Sequence, residues 1–319
     1  MPDWHQILEQ TQSIQAQASL TAVSALDVVR RQHLHQLHEC TSRNVIAYYS
    51  GWLSKPRGGA AEINDEDKIG FMTAVHGLDK TKGLDLLLHT PGGGIAATQS
   101  IVDYLHKMFA NDIRAFVPQL AMSAGTMIAC SCKEIWMGKQ SNLGPIDPHM
   151  GGIPAAGVRK EFERAVREIR KDRVRREVWT PIIAQYTPTF LSRCEQAVTL
   201  SNSFVRTQLE TVMFAGQPDA KRIAGKITAF LSNYVGNKSH DRHIHAEECM
   251  AKGLKIKLLE DDPTLQDLVL SVHHSYMVAF MNSSPIKFVE NHLGRAFIKH
   301  VPMVPSPQSL RPNAEGPPS

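Results

Sequence analysis

Two glycine-bearing turns, each set between a short apolar run and a helical pattern, do most to limit what this 319-residue chain can fold into. The first follows Leu86-Leu87-Leu88 and reads His89-Thr90-Pro91-Gly92-Gly93-Gly94. It leads into a helical pattern from Ile95 to Met108 whose apolar stripe is Ile95, Ile101, Val102, Leu105 and Met108. The second follows the β-like run Ile113 to Val117 and reads Ala121-Met122-Ser123-Ala124-Gly125-Thr126, opening a small-residue helix from Ala124 to Cys130. A further strand, Glu134 to Gly138, precedes Asn142-Leu143-Gly144-Pro145-Ile146-Asp147-Pro148. Strand, turn and helix in repetition imply right-handed crossovers and a largely parallel sheet. Sites on such sheets collect where strands pass into helices, which is where both turns fall. Glycine there lets backbone N–H groups approach a bound group closely. Ser123 has two readings: a helix N-cap, which serine favours, or a nucleophile whose oxyanion meets the next N–H and one from the glycine turn.

These three stretches, in this order and this close together, resemble the ClpP and crotonase-like superfamily. Within it the chain is most similar to the serine dehydrogenase proteinase family, distant relatives of ClpP and of the signal peptide peptidase SppA. The resemblance runs from about Arg43 to about His274. It implies an α/β, ClpP/crotonase-like fold: a mostly parallel sheet of repeated ββα-type units with flanking helices. It also implies a serine endopeptidase with Ser123 as nucleophile and the N–H groups of Gly93 and Ala124 as oxyanion hole. No cofactor follows from it.

One departure stands out. Where ClpP carries its catalytic histidine, this chain has Asp147, within Ile146-Asp147-Pro148-His149-Met150. Where ClpP carries its aspartate, it has Asp241, preceded by His240. The serine dehydrogenase proteinase family is regarded as using a reordered triad, which here implies Ser123, Asp147 and His240. Chain order does not matter to the chemistry, since the base must only reach the hydroxyl and the carboxylate must only orient the base. An alternative keeps ClpP order with Ser123, His149 and Asp241. A third, by similarity to SppA, uses a lysine from the charged helical stretch after the serine, Lys160 or Lys171. Two other functions share the same backbone features: a crotonase-type acyl-CoA enzyme, and a catalytically silent scaffold.

Composition excludes more than it assigns. Hydrophobic residues make up 42%, enough for a buried core, and the net charge of +4 is spread among interleaved acids and bases. That pattern gives no nucleic-acid surface. Five cysteines without a Cys-x-x-Cys pair read as reduced thiols in a cytoplasmic protein. The start lacks a secretory pattern, and no apolar run reaches the ~18 residues of a membrane span. His240, His243 and His245 form a spacing tolerable for zinc, but nothing reinforces it and no metal is expected. The expected partners are a peptide or protein substrate, further copies of the chain, and a separate ATPase, because the chain has no P-loop.

Three parts are expected: an N-terminal helical arm over 1–42 lying outside the catalytic core, a peptidase domain over 43–290, and a Pro-rich, disordered tail over 291–319. His273 and His274, in a helical segment from Leu265 to Phe280, read as structural.

Overall fold

The computed structural model describes residues 4–17, 24–55, 59–237 and 239–300. Two helices, α1 (Trp4–Gln17) and α2 (Ala25–Thr41), precede the first strand, β1 (Asn44–Ser50). Then come α3 (Glu66–Val75), β2 (Leu84–His89), α4 (Ile95–Phe109), β3 (Ile113–Val117), the short β4 (Leu120–Ala121), α5 (Ala124–Cys130), β5 (Glu134–Met137) and β6 (Asn142–Leu143). A hairpin of β7 (His149–Met150) and β8 (Ile153–Pro154) leads into a helical layer of α6 (Ala155–Lys171), α7 (Arg176–Ile183), α8 (Phe190–Gln208), α9 (Ala220–Leu231) and α10 (Tyr234–Asn237). The chain returns through β9 (Ile244–His245), α11 (Ala246–Lys252), β10 (Ile256–Leu258) and α12 (Pro263–Asn282) to a final hairpin, β11 (Pro285–Asn291) and β12 (Ala296–His300).

The main sheet runs β10-β5-β3-β2-β1-β11-β12, parallel from β10 to β1 and antiparallel at β11 and β12. A second small sheet, β4-β6-β9, carries the chain beyond the ends of β3 and β5. Each of those units is therefore a long strand followed by a short one, and β3, β4 and α5 make the ββα arrangement expected from the resemblance. Both faces of the main sheet are covered, so its strands are apolar almost without a break. Ile46, Leu86, Leu88 and Ala115 pack toward the cluster containing Phe71, Ile101, Leu105, Met127 and Ile128. The alternate residues Val45, Ala47, Tyr49, Leu87 and Phe116 pack toward Val269, Val272, Tyr276 and Phe280 of α12. Burying each large side chain contributes about 1.5–3 kcal/mol.

Two boundary expectations are corrected. Helix α2 does not lie outside the core: Leu34 and Leu37 are fully buried beneath the sheet beside α12. Its Arg30 is 1% exposed and ion-paired to Glu290 of β11 at 2.6 Å. Nor does order end at residue 291, because β12 pairs with β11 through Val289↔Phe297 and Glu290↔Ala296. Leu20 and Val23 of the expected arm, and the tail from 301 to 319, lie outside the described residues. The charged helical stretch that carries Lys160 and Lys171 stops at Lys171, and the Asp172 carboxylate accepts the Val174 N–H at 3.1 Å and starts a new turn. His273 is structural as expected: it packs between the rings of Tyr49 and His89, and burial pushes its imidazole down to about 3.

Candidate active site

The glycine turn and the serine turn are stitched together by backbone. Thr90 donates its N–H to the Leu120 carbonyl at 3.0 Å and accepts from the Met122 N–H at 3.0 Å. On the outer side of the glycine turn, Ile63 donates to the Gly92 carbonyl and accepts from the Gly94 N–H, both at 2.8 Å. Since backbone groups alternate along an extended segment, the N–H of Gly93 then points the opposite way from Ile63. Gly92 and Gly93 have φ of 99° and 152°. A Cβ on Gly92 would sit 2.7 Å from Cβ of Ser123, and one on Gly93 would sit 2.3 Å from the Ile63 nitrogen. Only glycine satisfies both backbone shape and space here.

Ser123 adopts φ 52° and ψ −114° and makes no side-chain capping bond to α5. The N-cap reading is thus corrected, because a capping serine sits in the extended region with its oxygen turned back on the helix. This backbone costs a non-glycine residue ~1–3 kcal/mol, and such strain is kept where the fold over-determines it. Three bonds do so. Gly125 donates to the Met122 carbonyl at 2.7 Å, Gly144 donates to the Thr126 hydroxyl at 2.9 Å, and that hydroxyl lies 2.8 Å from the Ala121 carbonyl it donates to. The outcome is a sharp strand-to-helix turn with a half-buried hydroxyl at its tip.

Asp147 is fixed from the other side. Ile146 donates its N–H to the Leu231 carbonyl at 3.0 Å, and its own carbonyl accepts from the Ser201 hydroxyl at 2.7 Å. The carboxylate, 3% exposed, lies 3.0 Å from Nδ1 of His240 through Oδ1 and 3.5 Å from Nε2 of His149 through Oδ2. The two imidazoles face each other with centroids 4.0 Å apart. Burial alone would raise the Asp147 carboxyl, but the hydrogen bonds from His149 and His240 outweigh it and hold it below the ordinary carboxylate range. Asp147 and His240 are 93 residues apart, and the small sheet brings their two segments side by side. Strands β6 and β9 pair as Asn142↔His245 and Leu143↔Ile244. The chain leaving β6 and the chain entering β9 run out from this pair of strands, and Asp147 and His240 meet beyond its end.

A cleft of about 670 Å³ is lined by Gly92, Gly93, Ser123, His149 and His240, with Ile95, Met127 and Ile146 as apolar wall and Glu62 at the rim. The structure therefore brings together Ser123, Asp147, His240, His149 and the glycine turn. It does not bring in the other candidates. Asp241 is exposed, and the carboxylate that meets His149 is Asp147. Lys160 lies over the Tyr234 ring and lines a different hollow, while Lys171 is exposed at the end of α6. His243 and His245 are exposed. Among the described residues, the set whose ligand atoms converge is Asp147, His149 and His240, not the three histidines weighed from the sequence. Sequence reasoning missed Thr90, Thr126 and Ser201 as supports. The first two lie inside the quoted motifs, whereas Ser201 sits mid-helix in α8 with no local signal.

Comparisons with known proteins show what the chain is similar to. Residues 24–260 match the family described as ClpP-like SDH-type serine proteinase. Two uncharacterized proteins of Methanocaldococcus jannaschii are similar, one 30% identical over 208 residues and the other 27% identical over 194. These alignments cover 65% and 61% of this chain, and the chain spans 65% and 59% of the relatives' own lengths. Among solved structures, a membrane-bound stomatin-specific protease aligns at 14% identity and a TM-score of 0.37, covering 65% of this chain and 79% of its own. In the described residues no helix is long and apolar enough to cross a membrane. With the family match spanning β1 to β10, both turns and the Asp147 and His240 loops, the chain belongs to the ClpP-like SDH-type serine proteinase family.

Proposed function

We propose that the chain is a serine endopeptidase using Ser123, His240 and Asp147. The observation that carries this is the 3.0 Å contact between Asp147 and Nδ1 of His240, on the cleft that Ser123 also lines. With Nδ1–H held by the carboxylate, Nε2 carries the free lone pair. It takes the Ser123 proton as Oγ bonds to the scissile carbonyl carbon. The carbonyl oxygen, now an oxyanion, accepts from the N–H groups of Gly93 and Ala124. Each such donor stabilises it by roughly 3–4 kcal/mol. Collapse breaks the C–N bond, and His240 passes its proton to the leaving amine. Water then repeats the sequence on the acyl-serine, releasing the acid and the free hydroxyl. No metal or cofactor takes part.

The same reading extends to the protein's setting. Val166, Val174, Val178 and Leu200 are exposed on the α6 to α8 layer, which supports a homo-oligomer built through that layer. Four of the five cysteines are buried and all are free, in keeping with a cytoplasmic protein. Folded substrates would need a separate ATPase to unfold them. The test is a fluorophosphonate probe and a casein-type or fluorogenic peptide assay on the full chain beside Ser123→Ala. Labelling at Ser123 with turnover lowered ~10⁴–10⁶-fold in the variant is the expected result. Equal rates in the two proteins would remove the peptidase assignment.

A further inference from the structure

Asp147 serves two imidazoles, and the proposed reaction uses only one of them. His149 shares the carboxylate, lines the same cleft and has no step to perform. We propose that Asp147, His149 and His240 together bind one Zn²⁺ ion, and that this ion reversibly switches the site off. Binding stands on the geometry alone; the switching half rests on the peptidase reading.

The ligand atoms of the three residues all lie within 4.8 Å of one another. Zinc bonds of ~2.0–2.2 Å in tetrahedral arrangement set neighbouring ligand atoms about 3.3–3.6 Å apart. The closest approaches, 3.0 Å from Oδ1 of Asp147 to Nδ1 of His240 and 3.5 Å from its Oδ2 to Nε2 of His149, run through different carboxylate oxygens and lie close to that distance. Two imidazoles and a carboxylate suit Zn²⁺ and its neighbours in the transition series better than Mg²⁺ or Ca²⁺, which favour all-oxygen shells. The carboxylate is 3% exposed but the histidine side chains are 23% and 27% exposed, so the set is rigid behind and open in front. That opening is the cleft itself, which supplies the route in and room for a water as fourth ligand.

Zinc and catalysis exclude each other through the chemistry of one ring. To ligate through Nδ1, the neutral His240 imidazole must carry its proton on Nε2. An Nε2–H cannot accept the proton of Ser123. The carboxylate that oriented His240 is at the same time engaged by the metal.

The test is calorimetric titration of Zn²⁺ into the metal-free full chain, wild type and Ser123→Ala, beside His149→Ala. One ion per chain is expected in the first two. In His149→Ala the affinity should drop by more than ~10-fold, since losing even a partner behind a ligand costs ~10–100-fold. Cobalt substitution of the wild type needs no variant: a visible absorption band of four-coordinate strength, erased by Zn²⁺, supports the site. Peptidase activity should fall over the same Zn²⁺ range that fills the site and return on adding EDTA. Absence of stoichiometric binding, or binding unaltered in both His149→Ala and His240→Ala, overturns the site. Binding through these residues with undiminished turnover overturns the switch. A metal-free wild type that cleaves nothing would instead defeat the peptidase reading, and the calorimetry would still decide the metal site.

Discussion

Replacing Asp147 by asparagine probes the carboxylate with almost no change of shape, and the second imidazole makes its outcome unusual. In the familiar Ser-His-Asp arrangement an asparagine lets the base adopt the wrong tautomer, and turnover falls ~10⁴-fold. Here the side-chain amide has two ring neighbours, His240 at 3.0 Å from one oxygen and His149 at 3.5 Å from the other. With its oxygen toward Nδ1 of His240 and its NH₂ toward Nε2 of His149, the amide satisfies both rings and preserves the productive tautomer. What disappears is the negative charge behind the imidazolium formed as Ser123 attacks. Two unit charges ~4 Å apart interact by about 4 kcal/mol at an effective dielectric of ~20. Because the His240 side chain is 23% exposed, solvent screens part of this. A loss of about 3 kcal/mol remains, or ~10²-fold in kcat. Asp147→Asn should therefore lower kcat ~10²–10³-fold with KM within ~3-fold. Adding His149→Ala removes the group that orients the amide, and the double variant should fall toward ~10⁴. Fluorogenic peptide turnover, normalised to fluorophosphonate-reactive sites, gives both numbers. A drop below ~10-fold, or a full ~10⁴ in the single variant that His149→Ala does not deepen, would refute the argument.

Three further outcomes follow from the same geometry. Gly92→Ala places a methyl 2.7 Å from Ser123 Cβ and 2.8 Å from the Met122 carbonyl, at a φ of 99°. It should cost ~1–3 kcal/mol in urea unfolding and at least ~10²-fold in kcat, as the turn moves away from the serine. Ser123→Gly relieves the strained φ of 52° while Ser123→Ala retains it. The strain of ~1–3 kcal/mol exceeds the unfolded-state cost of glycine, so the glycine variant should be the more stable by about 1 kcal/mol although both are inactive. Hydrogen bonding to Arg43 and Lys133 outweighs burial and lowers the Asp112 carboxyl from 3.8 to about 2. A depressed folded value contributes stability above the unfolded one. That contribution is present above about pH 4 and lost as pH falls toward about 2, so acid unfolding of Asp112→Asn should be flatter across that window.

Much of the fold is legible because its apolar periodicity changes at each turn. The run Leu86 to Leu88 gives way at Gly92 to a helical stripe, and Ile113 to Val117 gives way at Ser123 to small helical residues, each within a window a reader can scan. The two missed pieces depend on partners far away in the chain. Helix α2 is rich in His and Gln and looks solvated, yet Arg30 is buried against Glu290, 260 residues on, with the Tyr276 hydroxyl 2.9 Å from the same carboxylate. Strand β12 is five residues long and half-buried, and it is a strand because β11 offers it an edge. No local pattern announces either.

The site divides along the same line. Ser123 and the glycines are visible because strained backbone and close approach demand particular residues at particular places, and sequence records such demands. Asp147 and His240 meet beyond the end of the β6–β9 pair, two strands of two residues each. Two-residue strands carry too little pattern to be read. Resemblance supplied the pair, and the small sheet brings its two segments side by side. His149 is the consequence that chain order conceals. Once the acid occupies position 147, a histidine two residues further along the same segment reaches the same carboxylate from its other oxygen, and a site with one acid and two candidate bases is the result.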